Sequence, residues 1–90
     1  MKPAPLVIFG AGGHGRVVAD AARAAGHAVA GWLDDAPELE GRSIAGYRVL
    51  GTLDTWLAQP DAREHIHVAV GDNRVRLRLA ARIIEAGRTL

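Results

Sequence analysis

Apolar residues run unbroken from Leu6 to Phe9 and again, almost unbroken, over residues 66–70. Such runs predict central strands covered on both faces, because polar alternation persists only where one face meets water. Between them, Val17, Val18, Ala21, Ala22 and Ala25 recur at helical spacing. They predict a helix over residues 14–25 with that set buried and Arg16, Asp20 and Arg23 facing away. Gly26 is placed to end it in a left-handed conformation. Residues 28–33 read as a second strand, so the chain opens with a right-handed strand–helix–strand unit whose two strands are parallel.

Residues 34–46 carry Pro37, Gly41 and Gly46 among charged positions and read as a loop. Residues 47–50 form a short third strand. Thr52 or Asp54 caps a brief helix over residues 55–58, which Pro60 stops. Residues 66–70 are the fourth strand. Asp72 or Asn73 caps a final helix over residues 74–86, with Val75, Leu79, Ala80, Ile83 and Ile84 as its apolar face and Gly87 as its terminator. Thr89 and Leu90 read as the start of a further strand, so the chain is expected to stop in mid-fold. The expectation is a single three-layer α/β domain over residues 1–90, with a small parallel sheet whose strands lie in the order 3-2-1-4.

Composition narrows the function classes. Ninety residues make one small domain, and 49% hydrophobic with 23% charged residues is the balance of a soluble globular chain. A net charge of +1 argues against strong attraction to nucleic acid or an anionic membrane. With no cysteine there is neither disulfide nor thiolate metal site. No leader or membrane span is read, and the cytoplasm is the expected location. His27, His65 and His67 lack the spacing of a metal site, and no Ser/His/Asp or Cys/His arrangement marks a catalytic residue.

The turn after the first strand carries the chemistry. Gly10-Ala11-Gly12-Gly13-His14-Gly15 fits the G-x-G-x-x-G spacing and sits between a strand and a helix. The first amides of that helix have no intrahelical partner and point, at the positive end of the dipole, to where a phosphate can dock. The same glycines also permit tight turning and close packing, so both roles stay open. His14, in the first helical turn, can donate one hydrogen bond to a phosphate or sugar oxygen. Asp34 and Asp35 follow roughly 20 residues on, where a ribose-binding carboxylate is expected, and spacing leaves open which of them binds. Gly71 and Asn73 end the fourth strand at the same edge of the sheet. Asn73 can cap its helix and touch a base or sugar. Arg76 falls toward the apolar sector one turn further on and should have a partner, either an acidic side chain or a ligand phosphate. Arg74, Arg78 and Arg82 form a solvated basic stripe. Trp32, Tyr47 and Trp56 read as core or wall packing.

These residues resemble a family. The run Ile8-Phe9-Gly10-Ala11-Gly12-Gly13-His14-Gly15-Arg16-Val17-Val18-Ala19-Asp20 is similar to the opening of sugar acetyltransferases of the sialic-acid O-acetyltransferase and pilin-glycosylation type. So are Gly31-Trp32-Leu33-Asp34-Asp35, Gly46-Tyr47-Arg48-Val49-Leu50-Gly51, and Val70-Gly71-Asp72-Asn73 with Arg76. The resemblance covers nearly the whole chain in order. It implies a Rossmann-like N-terminal domain that holds a nucleotide sugar, most simply a UDP-sugar. In the family a left-handed β-helix follows, which makes trimers, binds acetyl-CoA and carries the general base. This chain has no six-residue repeat of that kind. It is therefore expected to be the substrate-holding half, monomeric or weakly oligomeric, with no cofactor of its own and no turnover alone. Carried over by motif, Gly12, Gly13 and His14 lie near the phosphates and sugar, Asp34 or Asp35 takes the nucleoside, and Gly71 with Asn73 lines the crevice. Two other readings compete: a nicotinamide-dinucleotide domain of an oxidoreductase, and a non-catalytic interaction domain whose glycine turn is only structural. A dinucleotide site usually uses two such half-units, and ninety residues supply one.

Overall fold

A computed structural model describes residues 4–59 and 63–90. Five strands and three helices follow one another as β1 (Leu6–Phe9), α1 (Gly13–Ala24), β2 (Val29–Leu33), β3 (Ser43–Ile44), β4 (Tyr47–Gly51), α2 (Leu53–Leu57), β5 (His65–Val68) and α3 (Asn73–Glu85). They form one sheet in the order β3-β4-β2-β1-β5. β1 pairs in parallel with β2 and β5, and β2 pairs in parallel with β4. The four expected strands thus lie in the expected order.

The sheet is mixed rather than purely parallel, because the predicted loop contains a strand. Ser43 and Ile44 pair antiparallel with Arg48 and Tyr47. Between them Ala45 (φ 53°) and Gly46 (φ 86°) make a two-residue turn with both central residues left-handed, the twist that suits a hairpin. A two-residue strand is too short to show alternation, and alanine stands where asparagine or aspartate would have announced the turn. Upstream, Pro37–Leu39 is a single 3-10 turn.

The two-sided burial read from the apolar runs is present. Val7, Phe9, Leu33, Ile66 and Val68 face α2 and α3, packing on Leu53, Trp56, Leu79 and Ile83. Ile8, Trp32 and Val49 face α1 with Ala11, Ala19 and Ala69. Val7, Ile8, Trp32 and Leu33 have no exposed surface, and complete burial stabilises each such side chain by about 1.5–3 kcal/mol. Trp32 and Tyr47 meet edge to face at 6.2 Å. The Trp32 indole N–H donates to the Ile44 carbonyl at 2.8 Å, which ties β2 to the hairpin. Trp56 is buried under the Arg88 guanidinium, 5.0 Å from the ring centre. The three aromatics are packing residues.

Both long helices end as predicted. His27 N–H bonds to Ala22 and Gly26 N–H to Arg23, while Arg88 N–H bonds to Ile83 and Gly87 N–H to Ile84. These are two Schellman closures around left-handed glycines. The brief helix is capped by Thr52, not Asp54. Its stop at Pro60 lies outside the described residues. The last helix is capped by Asp72, not Asn73.

The helix faces need correction. On α1 the covered residues are Gly15, Val18, Ala19 and Ala22, whereas Val17, Ala21 and Ala25 are exposed. Gly15 sets that phase: a Cβ there would lie 1.9 Å from the Gly10 carbonyl oxygen. The contact residue has no side chain, so counting apolar side chains misplaces the face. On α3 Leu79 and Ile83 are buried and Ala80 half-buried, but Val75 and Ile84 are exposed. Thr89 accepts one hydrogen bond from Ile66 N–H at 3.0 Å, a first rung beside β5 without a strand.

Candidate functional site

Four chain segments meet at the carboxyl edge of the parallel strands. The first is the glycine turn. Gly10 (φ 103°) donates to the Leu33 carbonyl at 2.8 Å, and a Cβ there would meet the Ala69 carbonyl oxygen at 2.7 Å. This glycine wedges between the ends of β2 and β5. Gly15, as described, presses α1 onto the turn. Gly12 is the N-cap of α1, in extended conformation (φ −83°, ψ −166°), and offers no side chain. The first helical bond runs from Arg16 N–H to Gly12. The N–H groups of Gly13, His14 and Gly15 meet no protein acceptor among the described residues, and His14 is exposed beside them. Partial positive charge from these amides and the dipole is concentrated there.

The second segment is the acidic pair, directly after β2, whose members reach opposite ways. Asp34 Oδ2 accepts from Ala11 N–H at 3.0 Å, inside the glycine turn, and its Oδ1 accepts from Ala36 N–H at 2.9 Å. Asp35 Oδ1 accepts from Leu53 N–H at 3.2 Å, at the start of α2. Asp34 therefore belongs to the turn and Asp35 to the other face of the sheet. The third segment is the end of β4, where the Gly51 carbonyl accepts from Asp34 N–H and Thr52 caps α2 with its hydroxyl. The link between Ala11 and Asp34 joins residues 23 apart in the chain and leaves no periodic pattern in the sequence. Its only trace in the sequence is a small turn residue and an acid placed directly after a strand.

The fourth segment is the end of β5. Gly71 is exposed, and Asp72 Oδ1 takes both Arg74 N–H at 2.9 Å and Val75 N–H at 3.1 Å. Asn73 is the first helical residue, and its Oδ1 accepts from the Arg76 guanidinium. Arg76 thus has a partner of neither expected kind, and it is exposed rather than in the apolar sector. Arg82 of the basic stripe pairs with Asp54. Among the described residues no three His, Asp or Glu side chains gather as a metal site. No helix there is long and apolar enough to cross a membrane.

The glycines divide by cause. Gly12, Gly13 and Gly71 have open space where a Cβ would stand and no left-handed φ, whereas each of the other eight has a left-handed φ or a sub-3 Å neighbour. The protein's own packing does not explain those three. They lie together, after β1 and after its neighbour β5, where strand order reverses and open α/β sheets bind ligands.

A mostly parallel sheet, helices on both faces and a glycine turn opening into a helix without a side-chain cap define a Rossmann-like domain. The chain belongs to the family described as PglD N-terminal domain, which matches residues 5–83. It is similar to perosamine N-acetyltransferase from Caulobacter crescentus, solved as a mutant in complex with CoA and GDP-perosamine, at 33% identity and a TM-score of 0.83. That match covers 97% of this chain and 40% of the other. The acetyltransferase domain of PglB from Neisseria gonorrhoeae, in complex with acetyl coenzyme A, is similar at 36% identity and a TM-score of 0.79, with 93% and 40% covered. The chain thus spans about two fifths of these solved relatives. A search of the curated proteins found no match.

Proposed function

We propose that this domain binds a nucleotide sugar as the substrate-holding part of an acetyl-CoA-dependent sugar N- or O-acetyltransferase. The observation that carries the reading is the group of glycines without an internal cause, Gly12, Gly13 and Gly71, around a helix whose first amides are unpartnered. Glycine leaves the backbone bare, so a pyrophosphate can reach those amides directly. His14 donates to a phosphate or sugar oxygen beside them. Asp34, rather than Asp35, is the member of the acidic pair on the cradle side, because it is the carboxylate at the glycine turn. Gly71 and Asn73 line the other wall. The Arg76 guanidinium holds the Asn73 carbonyl oxygen, which leaves the amide nitrogen as a donor for the ligand. The Caulobacter relative holds GDP-perosamine, so guanosine stands beside uridine as the base.

The chemistry divides accordingly. In this reading the domain supplies affinity and orientation, which convert acetyl transfer into a reaction between held partners. None of residues 1–90 is assigned to acetyl-CoA or to proton transfer. The test is calorimetric titration with GDP-sugars, UDP-sugars and CMP-sialic acid, with NAD and acetyl-CoA as contrasts. Saturable binding of one nucleotide sugar, lost in Gly12→Val while the circular dichroism is kept, supports the reading. Tight NAD binding, or binding that survives Gly12→Val, overturns it.

A further inference from the structure

We propose that Asp34 is a positioning residue for the phosphate cradle, acting through the backbone of the glycine turn. The inference rests on the binding reading above. Each oxygen of Asp34 already holds a main-chain amide, one 23 residues away at Ala11 and one two residues away at Ala36. Charge-assisted bonds of this kind are about twice as strong as neutral ones, and the carboxylate clamps the turn to the loop that follows β2. Ala11 is 5% exposed and packed with Ile8, Trp32 and Ala69. The preceding residue, Gly10, is fixed by the Leu33 carbonyl. With both positions held, the chain can leave the turn in only one direction, which aims the free amides of α1 outward.

Electrostatics alone would not place a carboxylate there. A negative charge beside a phosphate weakens the phosphate's binding, so its presence next to the cradle calls for a geometric reason. That conflict gives a test in which the competing roles differ in sign. In Asp34→Asn the single amide oxygen can keep one of the two N–H bonds, and the new NH2 group faces the other donor.

The experiment titrates inorganic pyrophosphate, GDP and UDP into the wild-type chain and into Asp34→Asn, with amide exchange read without ligand. A positioning role lowers pyrophosphate affinity tenfold or more and lowers that of the bound nucleotide equally. It also speeds exchange at Ala11 and Ala36 at least tenfold while the middle of α1 is unchanged. A purely electrostatic role tightens pyrophosphate, and a ribose grip weakens the nucleotide alone; either result, or unchanged exchange at Ala11, overturns the proposal. Should Asp34→Asn fail to fold, Asp34→Glu keeps the charge but displaces the clamp. It is expected to weaken pyrophosphate in the same sense, and unchanged pyrophosphate affinity there overturns the proposal equally. A wild-type chain that binds neither pyrophosphate nor nucleotide overturns the binding reading, and the positioning role falls with it. Binding by the wild type with pyrophosphate unaffected in both variants overturns the positioning role alone.

Discussion

Helices α1 and α3 start at the same edge of the sheet, after the neighbouring strands β1 and β5, yet their first turns are finished differently. At α3 the carboxylate of Asp72 takes two of the free amides, so that terminus is neutralised from within. At α1 the equivalent position is Gly12, with no side chain, no acidic residue in the first turn and three amides left open. A glycine N-cap forgoes about a few tenths of a kcal/mol relative to aspartate, and the absent charge at the dipole adds to that loss. Its retention beside a properly capped twin is what the proposed binding role accounts for. One closes a helix. In the proposed reading the other is left for an anion, and the negative charge of Asp72 next door disfavours the same anion at α3.

The largest effect we expect separates the two kinds of glycine in the α1 turn. Gly15→Ala places a Cβ 1.9 Å from a backbone oxygen and 3.1 Å from Trp32, and neither the turn nor the buried indole can retreat. Overpacking of this kind costs about 3 kcal/mol, the upper end of the usual range, a large part of a small domain's stability. The urea midpoint should collapse. A Gly15→Ala chain with a wild-type midpoint would mean that α1 does not rest on Gly10.

Next in size is the attempt to make α1 resemble α3. Gly12 already has the extended conformation of an N-cap, and nothing lies within 4 Å of the Cβ position. Gly12→Asp should therefore cap α1 and raise stability by about 0.5–1 kcal/mol. The same carboxylate would occupy the amides and repel phosphate, so nucleotide-sugar affinity should fall about 100-fold, equivalent to about 2.7 kcal/mol. Denaturation and calorimetry on one sample read both. A more stable chain that binds as well as before would detach the α1 terminus from the site.

The reverse change is smaller. Asp72→Ala removes the acceptor for Arg74 and Val75 N–H and should destabilise the domain by about 1 kcal/mol. Phosphate should not move to α3, because Gly12, Gly13 and the bare amides beside them stay with α1. If pyrophosphate then protects the first turn of α3 from amide exchange, the division between the two termini is wrong.

What could be read in advance follows from how local each signal is. The four parallel strands, their order and both glycine helix ends are written in contiguous runs and single punctuating residues. The glycine turn was legible because strand, turn and helix are adjacent. The link between Asp34 and Ala11, by contrast, joins residues 23 apart in the chain and has no periodicity to betray it. The choice between Asp34 and Asp35 likewise depends on which face of β2 meets α1. The β3–β4 hairpin escaped because two residues cannot alternate. The buried face of α1 was misplaced because Gly15 contributes to it only by having no side chain.

That last error yields the smallest prediction and the sharpest check on the helix phase. Counting apolar residues puts Val17 in the core, where Val→Ser would cost about 2 kcal/mol through lost burial alone. In the structure Val17 is 66% exposed, and a substitution at such a position should change stability by less than about 0.5 kcal/mol. Ala19, two residues on, is 1% exposed against Ile8 and Trp32. Ala19→Val, a gain of two methyl groups, should cost more than Val17→Ser, which removes two methyl groups and adds a hydroxyl. Urea midpoints for the two variants should order that way. The opposite order would mean that α1 lies turned by about two residues, roughly 200° at 3.6 residues per turn, with its first amides aimed away from the crevice.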